Sequence, residues 1–250
     1  MSTRPGSWRP DVDGLRGIAV LAVILFHLDA GWVPGGFAGV DVFLAISGYL
    51  LTRNVLADKA AGTFSVGSFY RRRVRRIALP MLVVIAAVLA ASQLLLLPED
   101  ALRTAQAGLW SAAGLANAWF WRNLDTGYFS REAHEAPLLH LWSLGLEEQF
   151  YLLWPLLLPL AARRLRSPRA LLAAVALLAA SSFAAGQAML ARDPLFAFYM
   201  LPTRAGGLLL GALAAVAAHA GLVREVDPSE AVADSRLAAG TKSATAEPAI

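Results

Sequence analysis

Long apolar stretches separated by short polar segments dominate the chain and predict a bundle of membrane-spanning helices. A helical span needs about 20 mostly apolar residues. Six stretches are candidate spans, and they cover residues 15–28, 37–56, 77–97, 149–162, 170–190 and 201–220. A seventh, 101–121, is interrupted by Arg103, Gln106, Ser111 and Asn117. The predicted fold class is an all-α polytopic membrane helical bundle of about six spans.

Two arginine clusters indicate how the stretches are arranged across the bilayer. They are Arg71, Arg72, Arg73, Arg75 and Arg76, then Arg163, Arg164, Arg166 and Arg169. Short arginine-rich loops stay cytoplasmic, so an even number of crossings should separate the clusters. We therefore expect 101–121 to be a re-entrant or interfacial outer segment, and both termini to be cytoplasmic. The alternative is that 101–121 spans and that one cluster lies outside.

Composition supports an integral membrane protein, which we expect in the inner or plasma membrane. The chain is 57% hydrophobic, and 16% of its residues are charged, against about 25% in soluble domains. It has no cysteine, which excludes disulfides and thiolate metal sites, and no metal site is predicted. Residues 221–250 are polar and are expected to form a disordered tail after a membrane domain at 8–220.

Two polar residues inside the first apolar stretch are candidates for function. Arg16 and His27 are surrounded by aliphatic residues. A charge inside a bilayer segment costs about 2.5–3.5 kcal/mol on insertion scales. The two positions are eleven residues apart, about 16 Å and close to three helical turns, so they should share a helix face. One face would then carry a fixed cation and a titratable base.

The segment 137–151 combines the most polar chemistry with an apolar run. On a helix, His140 and Glu147 share a face while Glu148 points elsewhere. A histidine near a carboxylate is the usual arrangement of an oriented general base. The alternative is a polar cap at the membrane interface. Asp41, at the edge of the second apolar stretch, is either a helix-start residue or a functional acid.

The first arginine cluster has a second interpretation beyond topology. Guanidinium groups bind phosphates bidentately, so the cluster is suited to an anionic lipid or a phosphorylated donor. In the outer segment, the aromatic residues are expected either to form an interfacial belt or to stack on sugar rings. They are Trp110, Trp119, Trp121 and Tyr128.

Taken in order and spacing, these motifs resemble the membrane acyltransferase 3 family of envelope glycan O-acyltransferases. The matching stretches are 13–19, 26–27, 36–43, 46–50, 69–73, 140–144 and 147–151. The resemblance covers about residues 8–220. It implies a helical membrane enzyme that moves an acyl group, often acetyl from acetyl-CoA, to a carbohydrate hydroxyl. The donor would lie on the cytoplasmic side and the acceptor outside, and no nucleic acid partner is implied.

The resemblance also implies site residues. Arg16 and His27 would be the functional pair. Our own hypothesis for the mechanism makes His27 the general base, because a neutral imidazole is the right form near pH 7, and Asp41 or Glu147 its orienting acid. The other shared motifs contain Ser47, Arg72, Arg73, His140 and Glu147. Arg71, Arg72, Arg73, Arg75 and Arg76 would dock the acyl-CoA head group. Ser47 and Ser143 are alternative acyl carriers, although a serine in a membrane helix more often bonds its own backbone.

Two departures from the family leave other functions open. The family usually has about ten spans, so this chain is expected to be a shortened homologue. In the family, a glutamate follows the arginine of a motif near the end of the domain, which is Arg204 in this chain. This sequence lacks that glutamate, so Arg204 is expected to lose a carboxylate partner. The alternatives are therefore an inactive truncated homologue, or a transporter or flippase subunit that uses His, Arg and Asp as a proton relay.

Overall fold

The computed structural model describes residues 10–28, 32–124, 128 and 135–223. Within these residues the chain is helical and has no strand. The helices are α1 (Pro10–His27), α2 (Gly39–Ala60), α3 (Val66–Leu95), α4 (Pro98–Ala112), α5 (Ala116–Asn123), α6 (Leu141–Leu165), α7 (Pro168–Leu190), α8 (Pro194–Tyr199) and α9 (Leu201–His219). The all-α prediction is confirmed. From residue 224 onward, the predicted tail lies outside the described residues.

Two helices extend well beyond the apolar stretches that predicted them. α3 begins at Val66 rather than at residue 77, because the Ser65 hydroxyl caps it by accepting from the Ser68 amide at 3.4 Å. The first arginine cluster therefore lies on a helix and not in a loop. α6 begins at Leu141 rather than at residue 149. Both helices begin with turns that contain charged residues. The hydropathy pattern identifies only the apolar part of each helix, so it places their starts too late.

The bundle has two chemically different ends. At one end, which we call the arginine end, α2 and α6 finish and α3 and α7 begin. Here Arg72 lies 3.5 Å from Asp58. Lys59 at this end donates to the Pro159 carbonyl at 3.3 Å. At the opposite end, which we call the histidine end, α1 finishes at His27 and α6 begins directly after His140. The first turns of α2 and α9 also lie here, and they carry Asp41 and Arg204.

The closest helix pair is α2 against α9, which runs through two glycines. A Cβ at Gly48 would overlap the Leu208 carbonyl oxygen, and a Cβ at Gly211 would overlap the Ala45 carbonyl oxygen. Small residues at such positions allow the backbones of membrane helices to approach closely. This contact fixes α9 against α2, and it therefore fixes Arg204 opposite Asp41.

Residues 101–121 form most of a helical hairpin that folds back toward the histidine end. α4 descends along α3, where Gly108 faces Ile85. The chain turns at Gly114, whose φ of +72° favours glycine, and the turn lies beside Glu148 of α6. α5 then returns, and its Trp121 indole donates to Asp193 at 3.0 Å. This geometry agrees with the re-entrant prediction for the segment.

Four segments among the described residues are long and apolar enough to cross a membrane. They are Gly36–Ala60, Val66–Leu95, Pro168–Leu190 and Pro194–His219. α1 and α6 lie beside them, but α1 carries Asp11, Asp13 and Arg16, and α6 carries Glu147 and Glu148. Six spans therefore remain a prediction. Large apolar side chains on the outer faces, including Val83 and Leu152, are typical of contact with lipid.

Candidate active site

A cavity of about 390 Å³ opens between α1, α2, α3 and α6. It brings together six residues that the sequence singled out, namely Arg16, Ser47, Arg73, Arg76, His140 and Glu147. Apolar side chains such as Leu50, Ile77 and Leu144 form much of the remaining wall. A mostly apolar cavity with a few convergent polar groups is the usual form of a small-molecule site. We refer to it as the large cavity.

Glu147 lies at the centre of the polar groups and is only 5% exposed. Its carboxylate accepts a hydrogen bond from the Ser47 hydroxyl at 2.6 Å. It also accepts from the Tyr151 hydroxyl at 3.3 Å, one helical turn along α6. Buried carboxylates require such partners, because an unsatisfied charge in a low-dielectric interior is costly. Glu147 therefore holds two hydroxyl groups in fixed positions on the cavity wall.

Two arginines supply positive charge to the large cavity. The Arg73 guanidinium lies 4.4 Å from the centre of the Tyr151 ring, and the Arg16 guanidinium lies 4.9 Å from that of Phe43. Cation–π contacts of this kind hold a guanidinium in place without using its hydrogen-bond donors. Both arginines also act electrostatically on the Glu147 carboxylate. The cavity therefore combines one buried carboxylate with two positioned cations.

His140 lies on the cavity wall immediately before α6, where it shares the cavity with Glu147 as predicted. Desolvation by the surrounding protein lowers the pKa of His140. A hydrogen bond to the Pro137 backbone opposes this shift, and the nearby His27 lowers the pKa again. The imidazole is therefore mainly neutral near pH 7. Ser143 donates to the His140 carbonyl at 3.3 Å, so this serine bonds the backbone, as expected for a serine in such a helix.

His27 lies outside the residues that line the large cavity. Its Nδ1 is 2.8 Å from the Val23 carbonyl oxygen. Because a carbonyl cannot donate, Nδ1 carries the hydrogen, and Nε2 of the neutral ring is an acceptor. Nε2 lies 3.3 Å from the Tyr128 hydroxyl. The Val23 carbonyl thus fixes which ring nitrogen carries the hydrogen, and an orienting acid for His27 remains a prediction.

A second and smaller cavity, of about 120 Å³, lies at the histidine end. We call it the small cavity, and its lining is Phe37, Val40, Asp41, Tyr128, Trp142, Phe198 and Arg204. Arg204 forms an ion pair with Asp41. The expected loss of a carboxylate partner for Arg204 is therefore wrong, because the fold supplies Asp41 from α2. Asp41, offered as the orienting acid of His27, bonds Arg204 instead.

The arginine cluster divides between the two sides of α3. Arg73 and Arg76 line the large cavity, while Arg72 pairs with Asp58. Arg71 and Arg75 are exposed and are not part of the cavity lining. Helical spacing explains the division. Arg73 and Arg76 are three residues apart and share a face of α3, whereas the residues next to them point to other sides. Two of the five predicted donor-binding arginines are therefore at the cavity.

Two polar residues that line the large cavity were not predicted as site residues from the sequence. Tyr151 is one turn after Glu147, a spacing that places both on one face of α6. Asn54 of α2 also lines the cavity, and its sequence context gives no comparable signal. Among the described residues, no group of three or more His, Cys, Asp or Glu side chains is arranged to hold a metal ion.

These features define an all-α membrane bundle with a cationic, histidine-containing cavity, and comparison with known proteins assigns its family. A family model described as an acyltransferase domain matches residues 9–221. The chain belongs to the acyltransferase 3 family and is a multi-pass membrane protein. No solved structure matches it.

Two relatives show how far the similarity extends. The peptidoglycan O-acetyltransferase OatA of Listeria monocytogenes is 36% identical over 206 residues, or 81% of this chain and 33% of the relative. The O-acetyltransferase OatA of Staphylococcus aureus is 36% identical over 158 residues, or 63% of this chain and 26% of the relative. The chain thus spans a quarter to a third of the length of these curated relatives.

Proposed function

We propose that this chain is the membrane domain of an O-acyltransferase that moves an acetyl group from acetyl-CoA to a hydroxyl of an envelope carbohydrate. The observation that carries the proposal is the large cavity, in which Arg16, Arg73, His140 and Glu147 converge. The names of the two relatives support the acetyl group and the envelope acceptor. The arginine end would face the cytoplasm, as the positive-inside rule favours.

The donor would enter the large cavity from the arginine end. Arg73 and Arg76 line the cavity there and present guanidinium groups suited to the phosphates of coenzyme A. The apolar wall between them and His140 would accommodate the less polar pantetheine arm. The thioester would then lie beside His140 and Arg16. Cationic Arg16 supplies N–H donors for the carbonyl oxygen as negative charge develops on it.

His27 would serve as the general base. Its Nδ1–H is held by the Val23 carbonyl, and its Nε2 already lies against a hydroxyl, that of Tyr128. A neutral imidazole with one nitrogen bound to a carbonyl presents the other as a proton acceptor. An acceptor hydroxyl in place of the tyrosine hydroxyl would give its proton to Nε2. Its oxygen would then attack the thioester carbonyl, and the C–S bond would break to release the thiolate.

The test replaces His27 by alanine in the full chain and measures acetylation of the envelope polysaccharide in a strain without other copies. Loss of a positioned general base typically costs 10²–10⁴-fold, so we expect about a hundredfold loss or more. His219→Ala is the matched control, because this histidine lies in the last turn of α9 and lines neither cavity. It should retain full acetylation.

Two results would contradict the proposal. Undiminished acetylation by the His27→Ala variant would remove His27 from catalysis. Purified protein that carries labelled substrate across vesicles without consuming acetyl-CoA would support the transporter alternative instead.

A further inference from the structure

We propose that the outward face of α3 binds an anionic phospholipid, with two arginines holding its phosphate and apolar residues packing on its acyl chains. We call this face the outer row, and it consists of Arg71, Arg75, Leu79, Leu82 and Ala86. None of these residues lines either of the two cavities. The inference is therefore independent of the proposed function.

The outer row is one continuous exposed strip of α3. Its members are three or four residues apart, a spacing that places side chains above one another on the same helix face. All five are exposed, and Leu79 and Leu82 are 66% and 48% exposed. Arg73 and Arg76 point to other sides of the helix, where they line the large cavity. The outer row therefore faces the surroundings of the bundle rather than its interior.

The two arginines of the outer row carry positive charge that no described residue neutralises. α3 contains no acidic residue, and Asp58 at the same end is already paired with Arg72. Neither Arg71 nor Arg75 forms an ion pair with any of the residues that the structure describes. The two side chains are one helical turn apart, and each guanidinium group can bind phosphate oxygens bidentately. The pair therefore has the charge and the spacing to hold a phosphate.

Beyond the arginines, the outer row is apolar over the depth of one bilayer leaflet. Leu79, Leu82 and Ala86 belong to a segment that is long and apolar enough to cross a membrane. Arg75 and Ala86 are 11 residues apart, about 16 Å along the helix axis. Half of a hydrocarbon core of about 30 Å is about 15 Å. A phospholipid whose phosphate is held at Arg75 would therefore lay its acyl chains along the apolar residues.

The charge of the pair favours an anionic headgroup over a zwitterionic one. The choline of phosphatidylcholine offsets its phosphate and would lie beside two guanidinium groups of the same sign. Phosphatidylglycerol has no such cation and keeps its net negative charge. Arginines near a membrane surface are attracted to anionic lipids for this reason. Phosphatidylglycerol is therefore the probe that the outer row should select.

The experiment measures the lipids that stay bound to the full chain, by native mass spectrometry after release from nanodiscs. The nanodiscs contain equal amounts of phosphatidylglycerol and phosphatidylcholine, and the parent chain should retain the first in preference to the second. In a variant with Arg71→Gln and Arg75→Gln, the ratio of bound phosphatidylglycerol to phosphatidylcholine should fall at least fivefold. Because both side chains are exposed, this variant should unfold at the same temperature as the parent chain in a zwitterionic detergent.

A matched control removes the same charge from the second arginine cluster. Arg163 and Arg164 are exposed in the last turn of α6, at the same end of the bundle. As consecutive residues they point about 100° apart, so they do not form a stacked pair. A variant with Arg163→Gln and Arg164→Gln should keep the lipid ratio within twofold of the parent value.

Two results in these spectra would overturn the inference. An equal fall in both double variants would show that the overall positive charge of the arginine end attracts the lipid. A parent chain that retains both lipids equally would show that the outer row does not select an anionic headgroup.

A third measurement tests whether the ligand is a lipid or a soluble phosphate. Glycerol 3-phosphate carries the phosphate without acyl chains, and isothermal titration should show no binding of it that depends on Arg71 and Arg75. Binding that does depend on them would make the pair a site for soluble phosphates and would contradict the lipid assignment.

Discussion

Glu147 and Glu148 are adjacent on α6, yet they point in different directions and have different surroundings. Glu147 faces the large cavity, where it binds two hydroxyls and balances the charge of Arg16 and Arg73. Glu148 points about 100° away and lies against the turn at Gly114. Their chemistry is identical, so any difference between them comes from their surroundings.

Replacing Glu147 by glutamine should therefore be much more harmful than the same change at Glu148. Glu147→Gln keeps the side-chain size but replaces one carboxylate oxygen, an acceptor for the Ser47 or Tyr151 hydroxyl, with an amide that cannot accept. We expect acetyl transfer to fall at least tenfold, and the free energy of unfolding to fall by about 1–3 kcal/mol. Glu148→Gln should stay within threefold in transfer. The measurements are an acetyl-transfer assay and thermal unfolding in detergent. If both variants lose equal activity and stability, the cavity position of Glu147 does not distinguish it from Glu148.

At this scale the sequence predicted which residues line the large cavity better than it predicted their hydrogen-bond partners. Periodicity placed His140 and Glu147 on one face, and the structure confirms it. Asp41 and Arg204 come from two helices that no local pattern pairs, whereas His27 Nδ1 bonds a carbonyl four residues earlier in its own helix. Asp41 and Arg204 are 163 residues apart, and only the packing of α2 on α9 brings them together.

Among the elements, the contact between α2 and α9 determines the geometry of both cavities. α2 contributes Asp41 to the small cavity and Ser47 to the large one, while α9 contributes Arg204. Glycines allow the two backbones to touch, so a side chain there would separate the helices. The shape of the site therefore depends on residues that take no part in its chemistry.

We expect Gly48→Ala and Gly211→Ala to destabilise the protein strongly, because each new Cβ overlaps a backbone carbonyl of the facing helix. Overpacking of this kind costs about 1–3 kcal/mol and occasionally more. Gly207→Ala is the control, since its Cβ would lie 3.8 Å from Leu44 Cβ, an ordinary contact distance. Thermal unfolding in detergent should separate the variants. Unfolding midpoints equal to that of the Gly207 variant would contradict the close packing.

At the scale of helices, the sequence predicted the apolar part of each helix well. The interruptions in 101–121 and the parity of the arginine clusters predicted a segment that does not cross, and the α4–α5 hairpin agrees with that prediction. Helix starts were predicted less well. The polar first turns of α3 and α6 carry the arginine cluster and Glu147, and hydropathy alone does not include such turns in a helix.

As a whole molecule, the bundle separates its chemistry between two ends. Arg73 and Arg76 of the arginine cluster line the large cavity, and the small cavity lies at the histidine end, where its Tyr128 contacts His27. In the proposed function, donor and acceptor would approach from opposite ends and meet where α6 begins. A transferase whose two substrates occupy different compartments requires this separation.

The central claim is that the large cavity, rather than the positive charge of α3 in general, binds acyl-CoA. The most direct measurement compares acetyl-CoA dissociation constants for two double variants of the full chain. Arg73→Gln with Arg76→Gln removes the two cavity arginines. Arg71→Gln with Arg75→Gln removes the same charge from the exposed side of the helix. We predict at least tenfold weaker binding for the first variant and a change within threefold for the second. Equal weakening of both would contradict the account.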